Sequence, residues 1–292
     1  MVRGLDYYDY ARAIIEADEH ITWIHEQVTS VVTDADPISI RAGETRLTAG
    51  LAFRSYADSS AKHTDALTTL QHFGGWYIKS ETDQWDSSRA VFMDFRTEQQ
   101  EGQTRFCYVL PVSAREALVE VAIYSEAPWS QDRYDAILSS YIEEYMSPIE
   151  YTITEREYGV IPMSTARFWQ QDTQRLIHIG TAGGAVKPSS GYAFGRIHEH
   201  SEWIVDRILA GQTISGSPFR SRYYHYDATL LHVLLVQQLD SEEIFHWLFR
   251  RNDADSVLAF LNGESTWWQE LKLCASMPVA PFTRGLLHSL AT

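Results

Sequence analysis

The sequence predicts a mixed α and β fold, with an antiparallel sheet layer in its first half and helices in its second. Three observations carry this expectation. The chain has 292 residues, 45% apolar and 22% charged, enough to bury a sizeable core. Runs of β-type alternation separated by turn residues recur between residues 21 and 126. A 3.6-residue apolar periodicity then governs the chain from residue 223 onward.

Taken in order, residues 7 to 17 read as a short helix with Ala11, Ile14 and Ile15 on one face. ITWIHEQVTSVV, PISIRAG and TRLTAGLAFRS read as short β segments, punctuated by Asp34, Asp36-Pro37 and Gly43. Residues 59 to 70 are polar and read as a loop or short helix. QHFGGWYIKS, RAVFMDFRT, RFCYVLPVS and EALVEVAIYS are four further β runs, with Glu101-Gly102-Gln103 as a hairpin turn between the second and third. Gln131 to Met146 is an amphipathic helix that Pro148 ends. A strand pair is expected in IEYTITEREYGVIPM, then a short strand at Leu176 to Ile179. Tyr223 to Leu239, Ser241 to Arg250 and Asp253 to Leu261 read as helices, with Ser241 and Asp253 as N-caps. The divisions expected are 1–60, 61–165, 166–212 and 213–292.

Composition excludes several function classes. A net charge of −15 argues against a nucleic-acid surface, which needs a basic stripe. Two cysteines, Cys107 and Cys274, leave no disulfide framework or four-Cys zinc site, and no metal site is expected. His198-Glu199-His200 lacks the i, i+4 spacing of a metalloprotease helix, and Ser113 lacks a Gly-x-Ser-x-Gly elbow. No P-loop and no Gly-x-Gly-x-x-Gly occurs. The first ten residues lack the apolar core of a signal peptide, and no apolar run reaches the roughly 20 residues of a spanning helix.

Two stretches carry candidate chemistry. In the first, a strand runs into Gly180, Gly183, Gly184, Lys187-Pro188 and Gly191-Tyr192. A helix is expected to open there, with Ile197, Ile204, Ile208 and Leu209 as its apolar stripe. Glycines let backbone approach a ligand, and a helix N-terminus offers free N–H groups to an anion. The same residues also read as a plain glycine turn. The second is Glu120, in the apolar strand ALVEVAIYS. Buried, it would hold its proton near neutrality and act as an acid; on an edge, it would be a solvated carboxylate. Asp94 in VFMDFR poses the same alternative.

The ordered blocks QHFGGW (71–76), VFMDFR (91–96), RFCYVLPVSAREALVEVAIYSE (105–126), YTITEREYGVIPM (151–163) and IGTAGGAVKPSSGY (179–192) resemble lycopene β-cyclases of the bacterial flavoprotein type. The likeness runs from about Asp6 to Leu290. It implies a flavin monooxygenase-like, FAD-dependent fold. That fold opens with a βαβ unit bearing Gly-x-Gly-x-x-Gly, and the chain is expected to start downstream of it. Residue by residue, Glu120 matches the first acid of the family's acidic motif and Asp94 the Asp of its Met-Asp block. The second acidic position is Val121 here, which speaks against a required carboxylate pair. Gly180, Gly183, Gly184, Pro188, Gly191 and Tyr192 match the second flavin-contacting segment, with Thr181 where related flavoenzymes often carry Asp.

The implied activity is proton-initiated cyclisation of the acyclic ends of lycopene, or of other acyclic carotenoids. It is a net isomerisation that uses reduced FAD, with NADPH or NADH as reductant. Glu120 is the candidate acid or final base, and Phe73, Trp76 and Tyr124 are candidates to shield the cation. An apolar substrate implies a membrane surface as partner and a cytoplasmic location peripheral to the inner face of the cell membrane. Trp247, Leu248, Phe249, Trp267 and Trp268 are candidates for attachment, with Arg250-Arg251 as a basic spot. The rival expectations are another flavoprotein acting on prenyl or carotenoid chains, and a non-catalytic carotenoid-binding remnant.

Overall fold

The computed structural model describes residues 3–34, 36–56, 66–99, 103–146, 148–168 and 173–291. By its contacts the chain divides into two units, Met1–Phe53 with Asp172–Ile177, and Arg54–Gln171 with His178–Thr292.

The smaller unit begins with α1 (Gly4–Glu16), which buries none of its residues. Three short strands follow, β1 (Val28–Val32), β2 (Ile38–Ala42) and β3 (Thr45–Ala49), paired antiparallel in that order. The strand expected from Ile21 begins only at Val28. A small core of Ile38, Ala52 and Leu176 closes this unit. Its last two residues before the division, Ala52 and Phe53, belong to β4 (Ala52–Arg54), which pairs with β10 (Leu176–His178).

The larger unit is built on a five-stranded antiparallel sheet. Its strands are β5 (Thr68–Lys79), β6 (Val91–Asp94), β7 (Thr104–Pro111), β8 (Glu116–Ser125) and β9 (Thr152–Ser164), in the order β6-β7-β8-β5-β9. Residue alternation gives it two distinct faces. One packs against α2 (Gln131–Tyr145): Cys107, Val109, Val119, Val121 and Ile123 meet Tyr134, Leu138, Tyr141 and Ile142. Gly74 lets the helix seat there, since a Cβ at that position would meet Tyr134 Cβ at 2.6 Å. The other face carries Phe106, Ala122 and Tyr124, packed with Met163 and Leu231.

The strand pair expected at residues 149–163 is instead one strand, β9, paired with β5 from Thr68 to Lys79. Gly159, inside this strand, makes room for a ring: a Cβ there would meet Phe73 Cζ at 2.3 Å. In the hairpin turn expected at Glu101-Gly102-Gln103, the first two residues lie outside the described residues.

After the sheet come α3 (Phe194–Leu209), α4 (Ser221–Leu231), a π-helical turn (His232–Val236), α5 (Ser241–Arg251), α6 (Ala254–Asn262), α7 (Trp267–Ser276) and α8 (Val279–Ala291). The core of the last five includes Val233, Ile244, Phe245, Val257, Leu261 and Leu273. Capping fixes three of their starts. Asp240, rather than Ser241, accepts from the Glu242 N–H at 2.9 Å; Asp253 accepts from Ser256 N–H at 2.8 Å; Thr266 and Gln269 form a reciprocal capping box. α3 starts at Phe194, three residues after Gly191, because Lys187 N–H donates to Tyr192 O and closes the preceding segment into a loop. Of its expected apolar stripe only Ile204 is buried; Ile197, Ile208 and Leu209 face outward. Among the described residues no helix is long and apolar enough to cross a membrane.

Candidate active site

One rung of the sheet sets Tyr108, Glu120, Gly75 and Glu157 side by side on β7, β8, β5 and β9. Two inter-strand spacings of about 4.8 Å separate the backbones of Glu120 and Glu157. Their carboxyl groups meet in a hydrogen bond because the residue between them has no side chain. A Cβ on Gly75 would crowd Leu118 Cδ1 at 3.0 Å and Glu157 Cγ at 3.1 Å. Burial pushes the Glu120 carboxyl up to about 8, helped by the charge of Glu157 and the hydrogen bond to it. At neutral pH the pair therefore holds a proton in the hydrogen bond between the two carboxyl groups.

The surroundings of this pair are aromatic, and Glu120, Glu157, Phe73 and Tyr108 are half-buried. Phe73, Tyr108 and Tyr124 lie on the same face, and Tyr124 and Phe106 meet edge to face at 5.8 Å. Tyr108 and Tyr192 are hydrogen-bonded, and burial, with the Tyr192 and Tyr124 hydroxyls and Glu120 close by, raises the Tyr108 phenol well above its usual range. That bond ties the loop before α3 to the rung that holds Glu120. The loop is anchored a second time by Lys187, a fully buried ammonium ion-paired to Asp227 of α4, where Ser189 Oγ also donates at 2.5 Å. Burial draws the Lys187 ammonium down despite the Asp227 carboxylate beside it.

Two of the expected site residues are elsewhere. Asp94 pairs in register with Cys107, on the α2 side of the sheet. It accepts from Arg96 Nη2 at 2.6 Å and from Tyr141 O–H at 2.7 Å. Burial alone would raise its carboxyl, but the hydrogen bonds from Arg96 and Tyr141 outweigh it and hold Asp94 below the usual range. Asp94 is thus an ionised strut on the face opposite Glu120. Trp76 also faces α2, donating from Nε1 to Asp135 at 2.8 Å, so the sheet separates it from Glu120, whereas Phe73 and Tyr124 share the Glu120 face.

The glycines before α3 divide in the same way. Gly183, Gly184 and Gly191 face protein atoms: a Cβ on each would meet His178 O at 2.3 Å, Phe168 Cδ2 at 3.0 Å and Gln71 Oε1 at 2.2 Å. Gly184 and Gly191 also have positive φ, so they shape the loop. Pro188 is buried within it. Open space lies beside Gly180, at φ +57° with its nearest atom 3.9 Å away, and beside Gly195 in the first turn of α3. A cavity of about 750 Å³ adjoins that turn, lined by Tyr192, Gly195, Arg196 and Arg220. No side chain caps α3, so its first N–H groups, with Arg196 and Arg220, could meet an anionic ring edge or a phosphate there, while Glu199 and Glu264 also line the cavity.

Glu157 and Gly75 escaped the sequence reading. Glu157 sits in TEREY, where neighbouring charges suggest a solvated strand face. The signal was available only jointly: a glycine in the middle of a strand, with a strand-borne acid on each side once the pairing order is known.

The arrangement is an acid–base pair facing an apolar, aromatic surface. The chain belongs to the lycopene cyclase protein family, whose pattern matches residues 12–287. No curated protein matches the chain. Among solved structures it is similar to a geranylgeranyl bacteriochlorophyll reductase-like protein from Thermoplasma acidophilum, at 12% identity and a TM-score of 0.45, covering 97% of this chain and 70% of that one. It is also similar to an anhydrotetracycline hydroxylase from Streptomyces rimosus, at 12% identity and a TM-score of 0.43, covering 99% and 57%. A third is a flavin-dependent monooxygenase in complex with FAD and substrate, at 10% identity and a TM-score of 0.45, covering 91% and 48%. The chain thus spans about half to two thirds of the length of several structures it matches.

Proposed function

We propose that the chain is a lycopene β-cyclase, converting the acyclic ends of lycopene to β-rings and so giving β-carotene through γ-carotene. The observation that carries this is the pairing of Glu120 with Glu157 across Gly75 on the aromatic face of the sheet, in a chain of the lycopene cyclase family. Cyclisation needs one proton delivered and one removed. Glu120 donates to the terminal double bond and leaves a tertiary cation, which the neighbouring alkene attacks to close the ring. The carboxylate pair then takes the proton lost from the ring carbon, so the site returns to its starting charge. Water would quench the cation, and with substrate seated on this face the rings of Phe73, Phe106 and Tyr124 would keep it from the reacting carbons. The faces of those rings stabilise positive charge in a medium that cannot solvate it.

Gly195, Arg196 and Arg220 would hold the anionic edge of FAD, bonded through the first turn of α3. The reduced flavin, when bound, supplies an electron-rich ring beside the site, with NADPH or NADH as the reductant. Tyr192 positions the loop between this edge and Glu120 through its bond to Tyr108.

The test is the chain itself in a lycopene-accumulating bacterium, with pigments separated by chromatography. New γ- and β-carotene are expected, without stoichiometric consumption of NADPH by the purified protein. NADPH oxidised one for one with product would replace this reading with a reductase or hydroxylase of prenyl chains. Unchanged lycopene, in cells where the chain is folded and carries flavin, would overturn it.

A further inference from the structure

A second cavity shares Arg196 and Arg220 with the one at the first turn of α3. It holds about 440 Å³ and is lined also by Arg167, Tyr224, His225 and Asp227. The two cavities differ in charge. Glu199 and Glu264 line the first and offset its two guanidinium groups. The second has three guanidinium groups, and its one acid is already committed. Asp227 is 2% exposed, ion-paired to Lys187 and bonded by Ser189 Oγ at 2.5 Å. In a chain of net charge −15, three arginines around one cavity with no free carboxylate among its lining residues call for an anion.

Two of these arginines are held by aromatic rings. Arg196 Cζ lies 3.8 Å from the centre of the Phe219 ring, and Arg167 Cζ lies 5.1 Å from that of Tyr224. Stacking uses the face of a guanidinium and leaves its in-plane N–H donors for a phosphate. Arg196 Nη2 donates to Gly184 O at 3.3 Å, while its Nε is buried with no hydrogen-bond partner. A buried donor without a partner is costly, and an acceptor supplied by a ligand offsets that cost.

The third, Arg220, stands at the N-cap of α4, and Ser221 in the first position of that helix lines the cavity too. No side chain caps α4 and its first turn carries no acid, whereas Asp240, Asp253 and Thr266 cap α5, α6 and α7. The positive end of α4 therefore adds to the arginines.

We propose that this cavity binds a phosphate monoester carried on a nucleotide, and that its ligand is the 2′-phosphate that distinguishes NADPH from NADH. Its volume lies in the range of small-molecule sites and leaves room beyond the phosphate itself. Phe219 and Tyr223 also line both cavities, so a reductant seated here is a neighbour of the flavin edge assigned to the first. That the phosphate belongs to the reductant rests on the cyclase reading; the anion site does not.

Calorimetric titration of the full chain in the presence of FAD tests the site without any turnover. The probes are adenosine 2′,5′-bisphosphate, which carries the 2′-phosphate, and ADP, the corresponding part of NADH and of FAD itself. The bisphosphate is expected to bind at least about tenfold more tightly than ADP. Arg167→Gln removes the one arginine that the flavin cavity does not share, and it should abolish that preference while leaving the affinity for ADP unchanged. Arg167 is exposed, so the fold tolerates the change. Arg167→Lys should restore only part of the preference, because an ammonium has no planar fork. Arg89→Gln, at an exposed base that does not line the cavity, should bind both probes as the parent does.

Equal affinity for the two probes would overturn the proposal. So would tighter binding of ADP, which would assign the cavity to the diphosphate of the flavin nucleotide. A preference that survives Arg167→Gln would remove this cavity as its source. Lycopene enters none of these titrations, so selective binding in a chain that makes no β-carotene would keep the phosphate site and sink only the cyclase reading.

Discussion

The two faces of the five-stranded sheet hold carboxylates in opposite states. On the α2 side, Asp94 has a guanidinium and a phenol pointed at it, and it is ionised in spite of its burial. On the other side, Glu120 has another carboxylate as its partner and keeps its proton to about 8. Burial acts on both in the same direction; the partner decides the outcome. One face stores charge for structure, and the other stores a proton.

The comparison breaks first at Glu120. Glu120→Gln should lower β-ring formation by at least about a hundredfold, the usual scale for a lost general acid, with the far-ultraviolet spectrum of the fold unchanged. Retained activity would remove Glu120 from the mechanism. Glu157→Gln should sharpen the contrast. Without the neighbouring charge, the Glu120 pKa falls from about 8, so the alkaline limb of the pH–rate profile moves to lower pH. A limb that stays in place would show that burial alone sets it.

Asp94→Asn should cost about 1–3 kcal/mol in denaturant melts, since Arg96 and Tyr141 lose a charged acceptor, while kcat at saturating lycopene is kept. Loss of turnover in a stably folded Asp94→Asn protein would contradict its placement as a strut.

The smallest effect is in stability against pH. The folded pKa of Glu120 lies above its unfolded value, so the native state holds this proton longer than the unfolded chain does. Its contribution is fully present below an unfolded pKa of about 4.3 and declines as pH rises toward about 8. Melting temperatures of Glu120→Gln should fall less across that window than those of the parent. His72 gives the opposite slope: burial first, then the nearby Arg133, lowers it to about 4, so its contribution is lost as pH falls from about 6.5.

Much of this architecture was legible in the sequence, and for identifiable reasons. β5, β7 and β8 show as strands because they are short runs rich in aromatic and apolar residues, buried on both faces, and α2 shows a clear apolar stripe. Periodicity puts Phe73 and Trp76 on opposite faces of β5 but could not tell which of them shares the face of Glu120, because the pairing of β5 with β8 sets which residues share a rung. That β9 is one strand and not a pair depends on its pairing with β5 along its whole length, which admits Phe73 at Gly159 and leaves no local mark in the sequence. The start of α3 was placed early because Gly191 ends a loop held by Lys187, whose partner Asp227 is remote in sequence.

Gly75 has a consequence for how the site comes into being. The carboxyl pair needs β8 and β9 docked on opposite edges of β5, in the registers that bring both acids to one glycine. A slip of one residue in either pairing would turn that strand's acid to the α2 face, and the shared proton would not form. Assembly is therefore its own safeguard. A nascent or misthreaded chain exposes only ordinary carboxylates, and the carboxyl that keeps its proton to about 8 appears once three strands remote in sequence have closed around a position that contributes no chemistry of its own.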